Sequence, residues 1–212
     1  MDVRMFTVGP VAENCYIFRR EGSDRALIVD PGEEADKLLG AIDALGVELD
    51  AILVTHTHFD HVGAVAPMAK ATGAEVWVPE IEKFVLADIN SFVPWPGFGP
   101  FESYDAEHTL TGGEKLELAG FEIDVLHTPG HSPGHVAFSI PDEQVVFSGD
   151  VLFQGSVGRT DLPGGDWDTL LESIRTVVDT LPPETAVYPG HMGITSLGAE
   201  RATNPFLAEL AR

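Results

Sequence analysis

Cysteine is almost missing from this 212-residue sequence, with Cys15 the single one. No internal disulfide can form, and a reducing, cytoplasmic setting is expected. Basic residues are scarce too: 12 Lys and Arg stand against 34 Asp and Glu, a formal charge of −22. Nucleic-acid binders need a basic face to neutralise phosphates, so that class of partner is excluded. The acidic excess reads instead as a solubilising surface. No apolar run approaches the roughly 18 residues of a membrane span. The opening "MDVRMFTVGPVAENCYIF" has no basic n-region, unbroken apolar stretch or small-residue cleavage site. Neither membrane association nor export is expected. Repeats, low-complexity tracts and linkers are also lacking, which suggests one domain over residues 1–212 with ample core.

What is present is a rhythm of short strands and helices. "MFTVGPV", "NCYIFRR" and "RALIVD" read as strands, and "EEADKLLGAIDALG" as a helix closed by glycine. "AILVT" is a continuous apolar run, as in a strand buried on both faces. A helix near 62–72, the strand "EVWVP" and a helix near 79–88 follow. The stretch 89–108, "INSFVPWPGFGPFESYDAEH", has no period and is rich in Pro, Gly and aromatics. A loop of that length suggests a functional flap or a packed cover, with Phe92, Trp95, Phe98, Phe101 and Tyr104 its aromatic members.

Strands resume in "EKLELAG", "FEIDVLHT", "HVAFSI", "QVVFSGD" and "TAVYPG". Between them "DWDTLLESIRTVVDTL" is the clearest helix, with Asp166 as candidate N-cap. "SLGAERATNPFLAELA" reads as helical with a break at Asn204-Pro205. Two blocks of strands, each followed by helices, predict an α/β fold: a four-layer αβ/βα sandwich, two mixed sheets flanked by helices.

The densest polar cluster is "THTHFDH", directly after the buried strand "AILV". Residues two apart in extended chain share a side, which joins His56 to His58. The turn into the next helix brings Asp60 and His61 alongside. A buried strand end is a costly place to leave four polar groups unsatisfied, and imidazole with carboxylate suits zinc, iron or manganese. Three further segments follow buried strands in the same way: "HTPGHSPGH", "FSGD" and "YPGH". Ligand sites of α/β sheets lie beyond such strand ends, so His131, Asp150 and His191 complete the set. Two ions fit the count. His56, His58 and His131 suit one, Asp60, His61 and His191 the other, and Asp150 can bridge.

In this order, "NCYIF", "IVDPG", "THTHFDH", "HTPGHSPGH", "SGDVLF", "GRTDLPGGD", "YPGH" and "ERATNPFL" resemble the metallo-β-lactamase superfamily, and within it the compact bacterial glyoxalase II (hydroxyacylglutathione hydrolase) group. The resemblance implies a dinuclear centre holding two divalent ions, zinc first and iron or manganese as alternatives. It also implies hydrolysis of a small-molecule thioester such as S-lactoylglutathione by a hydroxide bridging the ions, with Asp60 orienting the nucleophile as well as binding metal. A thiolate leaves without a dedicated general acid, because a thiol pKa lies near 8.5. The larger members of the group have a C-terminal helical domain that supplies glutathione contacts. None is expected here, which leaves another low-molecular-weight thiol open as carrier. Arg159 has two candidate partners, a substrate carboxylate or Asp161. His127 and His135 are expected to support the site rather than bind metal, His108 to be a solvated loop residue, and Cys15 a buried small hydrophobe.

The resemblance extends to persulfide dioxygenases, which share "GRTD" and the "ER..NP.L" pattern and use one iron. "LPGGD" after "GRTD", and "MGITSLG" after His191, favour the hydrolase. A lactonase uses the same ligands but differs in the segment "GRTDLPGGD". A β-lactamase proper is expected to lack Asp60 in this form. A phosphodiesterase acting on RNA needs a basic surface, and an inert scaffold of the same fold would have lost ligands.

Overall fold

The computed structural model describes residues 1–93 and 95–209. It condenses into two compact units, residues 1–110 with 117–121, and residues 111–116 with 122 onward. Each unit is built on one six-stranded sheet.

The first sheet runs β1 (Asp2–Val8), β2 (Glu13–Arg19), β3 (Arg25–Val29), β4 (Glu48–Leu53), β5 (Glu75–Pro79) and β6 (His108–Leu110), in that spatial order. The β1–β2–β3 meander is antiparallel, and β3 to β6 are parallel. Parallel neighbours need crossovers, and helices provide them. Helix α1 (Ala35–Leu45) links β3 to β4, buries Leu38 and Ile42, and ends at Gly46 in the left-handed conformation. Between β4 and β5 lie the single turn α2 (Phe59–Val62) and α3 (Val65–Thr72). Val62, Val65 and Met68 join Ile28, Ile52 and Val76 in one apolar core. The sequence predicts one helix over 79–88. Instead a 3-10 turn (Glu80–Glu82) precedes α4 (Lys83–Ala87), because Glu82 turns its carboxylate inward to Thr57.

The second sheet has the order β14 (Thr195–Ser196), β13 (Ala186–Pro189), β10 (Val145–Gly149), β9 (Val136–Ile140), β8 (Phe121–His127) and β7 (Lys115–Leu118). β10 pairs parallel with β13 and antiparallel with β9. A small ribbon, β11 (Leu152–Phe153) with β12 (Ser156–Val157), follows β10. Helix α5 (Trp167–Thr180) buries Leu170, Ile174, Val177 and Val178, and the Asp166 side chain accepts from Thr169 N–H as its N-cap. Helix α6 (Leu197–Thr203) stops at Asn204, where Pro205 cannot continue it. A 3-10 turn covers Leu207–Glu209, and the remainder of the helix expected there lies outside the described residues. Among the described residues no helix is long and apolar enough to cross a membrane. The fold class is the expected one, α/β with two large mixed sheets and helices.

Candidate metal centre

Strand β4 delivers the first set of candidate ligands. Val54 still pairs with the sheet, its N–H donating to the Trp77 carbonyl, and the chain then leaves the sheet as Thr55-His56-Thr57-His58. His56 and His61 are fully buried, and His58 and Asp60 are partly exposed. The His56 and His61 ring centroids lie 4.1 Å apart, and His56 Nε2 lies 3.1 Å from His58 Nδ1. Asp60 Oδ2 lies 3.8 Å from His61 Nε2. The four sequence-predicted residues of "THTHFDH" therefore do converge.

Buried acceptors set which nitrogen of each ring faces the cluster. Asp30 Oδ1 accepts from Thr55 N–H at 2.7 Å, and Asp30 Oδ2 accepts from the Thr55 hydroxyl at 2.6 Å and from His61 Nδ1 at 3.0 Å. With its proton given to Asp30, the Thr55 hydroxyl is left to accept from His56 Nδ1 at 3.0 Å. Both rings thus carry their proton on Nδ1 and turn an Nε2 lone pair inward, as metal-bound histidines do. For His56 that lone pair faces His58 Nδ1 at 3.1 Å, close enough for the two nitrogens to share a proton or a cation.

Asp30 adopts a left-handed backbone with φ 49°, rare outside glycine and tolerated best by Asp and Asn. Glu13, fully buried at the start of β2, adds a second carboxylate 3.7 Å from His61 Nδ1. Gly32 completes this corner: a Cβ there would overlap the Asp60 carbonyl oxygen.

In the second unit, the segments after β8, β10 and β13 supply His131, Asp150 and His191. Asp150 Oδ2 lies 3.4 Å from His131 Nε2 and 3.5 Å from His191 Nε2, between the two rings. His131 Nδ1 donates to the Arg159 carbonyl at 2.7 Å, which again leaves Nε2 for a metal. His135 is fully buried and supports the site as expected: its Nε2 accepts from Asp150 N–H at 3.0 Å, and its Nδ1 meets the Thr128 hydroxyl at 2.9 Å. Gly158 permits the ribbon's return, since a Cβ there would overlap the Asp150 carbonyl and crowd His131 Nδ1. Phe153 of the ribbon sets its ring edge-on to His191, with centroids 5.8 Å apart.

Three other residues take definite places. The Arg159 guanidinium forms a two-pronged pair with Asp161, 2.6 Å on each arm, so of its two expected partners the structure shows Asp161. That pairing lowers the Asp161 carboxyl to about 2. His108 opens β6, stacks on Trp77 at 4.0 Å and meets Glu75 Oε2 at 2.7 Å, in place of the solvated loop position expected. His127 is exposed at the end of β8.

Of the two readings of the aromatic stretch, the structure shows the packed cover. Phe98, Phe101 and Tyr104 pack on the core, and Trp95 and Phe92 stay 39% and 47% exposed. Phe59, between His58 and Asp60, gathers Phe98, Phe101 and Trp95 at centroid distances of 4.9, 5.9 and 6.0 Å.

Asp30, Thr55, Thr57, Glu82 and Glu13 were not singled out from the sequence. Asp30 had a usable signal, since "VDPG" follows a buried strand as the ligand segments do. Glu82 had none, because "PEIEKF" looks like a solvated helix face.

Imidazoles grouped with carboxylates, three of them with Nδ1 held by a neighbouring acceptor, are a donor set that suits borderline divalent ions. Comparison with known proteins agrees. The metallo-beta-lactamase superfamily model matches residues 8–191. The chain belongs to that superfamily. Hydroxyacylglutathione hydrolase GloC of Haemophilus influenzae is 37% identical over 98% of both chains. The crystal structure of BLEG-1 B3 metallo-beta-lactamase is 39% identical, with a TM-score of 0.91 over 97% of this chain and 99% of that one. That of TTHA1623 in a di-iron-bound form is 42% identical, with a TM-score of 0.80 over 96% and 100%. The protein is thus an enzyme of a metallo-hydrolase superfamily, with a fold that implies divalent metal binding.

Proposed function

We propose that this protein hydrolyses thioesters of small thiols, of the S-lactoylglutathione type, at a dinuclear centre. In this reading His56, His58 and His131 hold one ion, and Asp60, His61 and His191 the other, with Asp150 between them. Zinc is the first candidate, followed by iron and manganese. The observation that carries the reading is the paired arrangement of tautomers. Asp30 and the Arg159 carbonyl each hold a histidine Nδ1–H, so that His61 and His131 present bare Nε2 atoms beside Asp60 and Asp150. The 37% identity to GloC over 98% of both chains supports the thioester as substrate.

Two bound divalent ions would supply a hydroxide nucleophile near neutral pH and a Lewis acid for the developing oxyanion. The chain's own residues do the rest. Asp30 and the Arg159 carbonyl prevent ring flips, His135 fixes the backbone of Asp150, and Asp60 orients the attacking oxygen. Phe59 and the rings gathered on it exclude water from one side. The leaving thiolate needs no protonated partner.

Metal content and turnover test this together. Protein purified without added metal should hold two ions per chain and cleave lactoyl thioesters. Asp60→Ala and His61→Ala should each lower the content toward one ion and reduce kcat/KM by at least about 10³-fold, since both remove binding and positioning of the nucleophile. Full activity in both variants would sink the dinuclear reading. One iron per chain with oxygen uptake on a persulfide would replace it with dioxygenase chemistry. A second reading, β-lactam hydrolysis, is favoured by the 0.91 TM-score to BLEG-1. A cephalosporin assayed beside the thioester separates the two by their kcat/KM values.

A further inference from the structure

The two threonines of "THTH" are held in the same way by two different buried carboxylates. Asp30 accepts from the backbone N–H and the hydroxyl of Thr55. Glu82 accepts from the N–H of Thr57 at 2.9 Å and from its hydroxyl at 3.1 Å, both on Oε2. Thr55 and Thr57 bracket His56, and Thr57 joins His56 to His58. The Asp30 clamp reaches on to His61, so it serves the other end of the motif as well. The Glu82 clamp grips the one residue that separates His56 from His58.

We infer that Glu82 is a positioning residue for the metal ligands His56 and His58, acting through Thr57. The inference rests on the dinuclear reading above. Two observations support it. Glu82 is 5% exposed and lies at the junction where a regular helix would have continued, so burying it interrupts local structure. Second, a segment that has left its sheet has no ladder partners of its own. Two charge-assisted hydrogen bonds to one oxygen hold the Thr57 backbone against rotation, and with it the angle between the flanking imidazoles. Supports of this kind change metal affinity about 10–100-fold when removed.

The test is zinc affinity of the full-length protein, measured by competition with a chromogenic chelator. Glu82→Ala should weaken one of the two ions by about 10–100-fold and leave the other near the wild-type value. Glu82→Gln should recover most of the loss, because its amide oxygen accepts the same two donors. Thr57→Val, which keeps the N–H and loses the hydroxyl, should show a several-fold loss at the same ion. A merely structural role would lower the melting temperature of the metal-free protein without changing the affinity of the folded fraction. Wild-type affinity in a folded Glu82→Ala protein overturns the inference. If that variant does not fold, Thr57→Val decides: several-fold weaker binding supports the inference, and unchanged binding overturns it. Wild-type protein that binds two ions but cleaves no thioester would defeat the proposed substrate and leave this inference standing.

Discussion

Single residues here carry charge states that can be measured directly. The Cys15 thiol is pushed well above its usual range, first by complete burial and then by the charges of Glu13 and Asp30. A raised thiol pKa means less thiolate at any given pH, and only the thiolate reacts. Native protein at pH about 8 should therefore resist a thiol-labelling reagent. One equivalent should react after unfolding in guanidinium. Rapid labelling of the native state would contradict the burial. Asp161 moves the other way, to about 2, because the Arg159 guanidinium holds it. A depressed carboxyl stabilises the fold above its unfolded value of about 3.9 and loses that contribution as pH falls toward 2. Carbon-detected NMR titration should find it there, and Arg159→Ala should return it toward about 3.9. The pair is solvent-exposed, so its removal should hardly change stability at neutral pH.

At the scale of elements, "ERATNP" acquires a physical meaning. Glu200, 2% exposed in α6, accepts from Gly155 N–H, the Thr195 hydroxyl and Asn204 Nδ2. Asn204 Nδ2 also donates to the carbonyls of Phe153 and Ser156. Helix α6 thus grips the β11–β12 ribbon, and the ribbon's Phe153 abuts His191. Glu200→Ala would take the acceptor from the Gly155 N–H and the Thr195 hydroxyl, while Asn204 keeps its two carbonyls, and should cost on the order of 2 kcal/mol in urea unfolding. A change under about 0.5 kcal/mol would mean the network is slack. The individual strands and helices were legible beforehand where apolar spacing was strong: α1, α5 and the β9–β10 pair fall where periodicity puts them, whereas "AILVT" overlaps β4 only in that strand's last three residues. The failures were short or aperiodic. β6, β11, β12 and β14 have two or three residues each and bury too little to leave a pattern. The candidate ligands were legible because each follows a buried strand. Their carboxylate supports were not, because a buried Glu82 and an exposed glutamate look alike until the chain is folded.

For the molecule as a whole, the charge of −22 sets a solution property. Self-repulsion of that size weakens the compact state, and salt screens it as the Debye length falls from about 30 Å at 0.01 M to about 3 Å at 1 M. The melting temperature should rise monotonically over that range of sodium chloride. A flat or falling curve would mean that attractive surface pairs, such as Arg25 with Asp50 and Lys70 with Glu102, outweigh the excess.

The parallel pairing of β3 with β4 also has a consequence for how this chain can vary. Val29 stands opposite Leu53, the Asp30 N–H donates to the Leu53 carbonyl, and two residues further on Thr55 meets the Asp30 side chain. Connections cost little when lengthened, since loop entropy grows only slowly with residue count. The exposed turn at Gly46, after α1, is therefore slack, and an insertion there should leave metal affinity intact. The steps from Leu53 to His56 behave as a ruler. One added residue reverses which face each later side chain takes, and turns the histidines away from their carboxylate while the sheet still forms. In this protein, tolerance to insertion is a property of position along the chain, and it changes from permissive to forbidding within a few residues of β4.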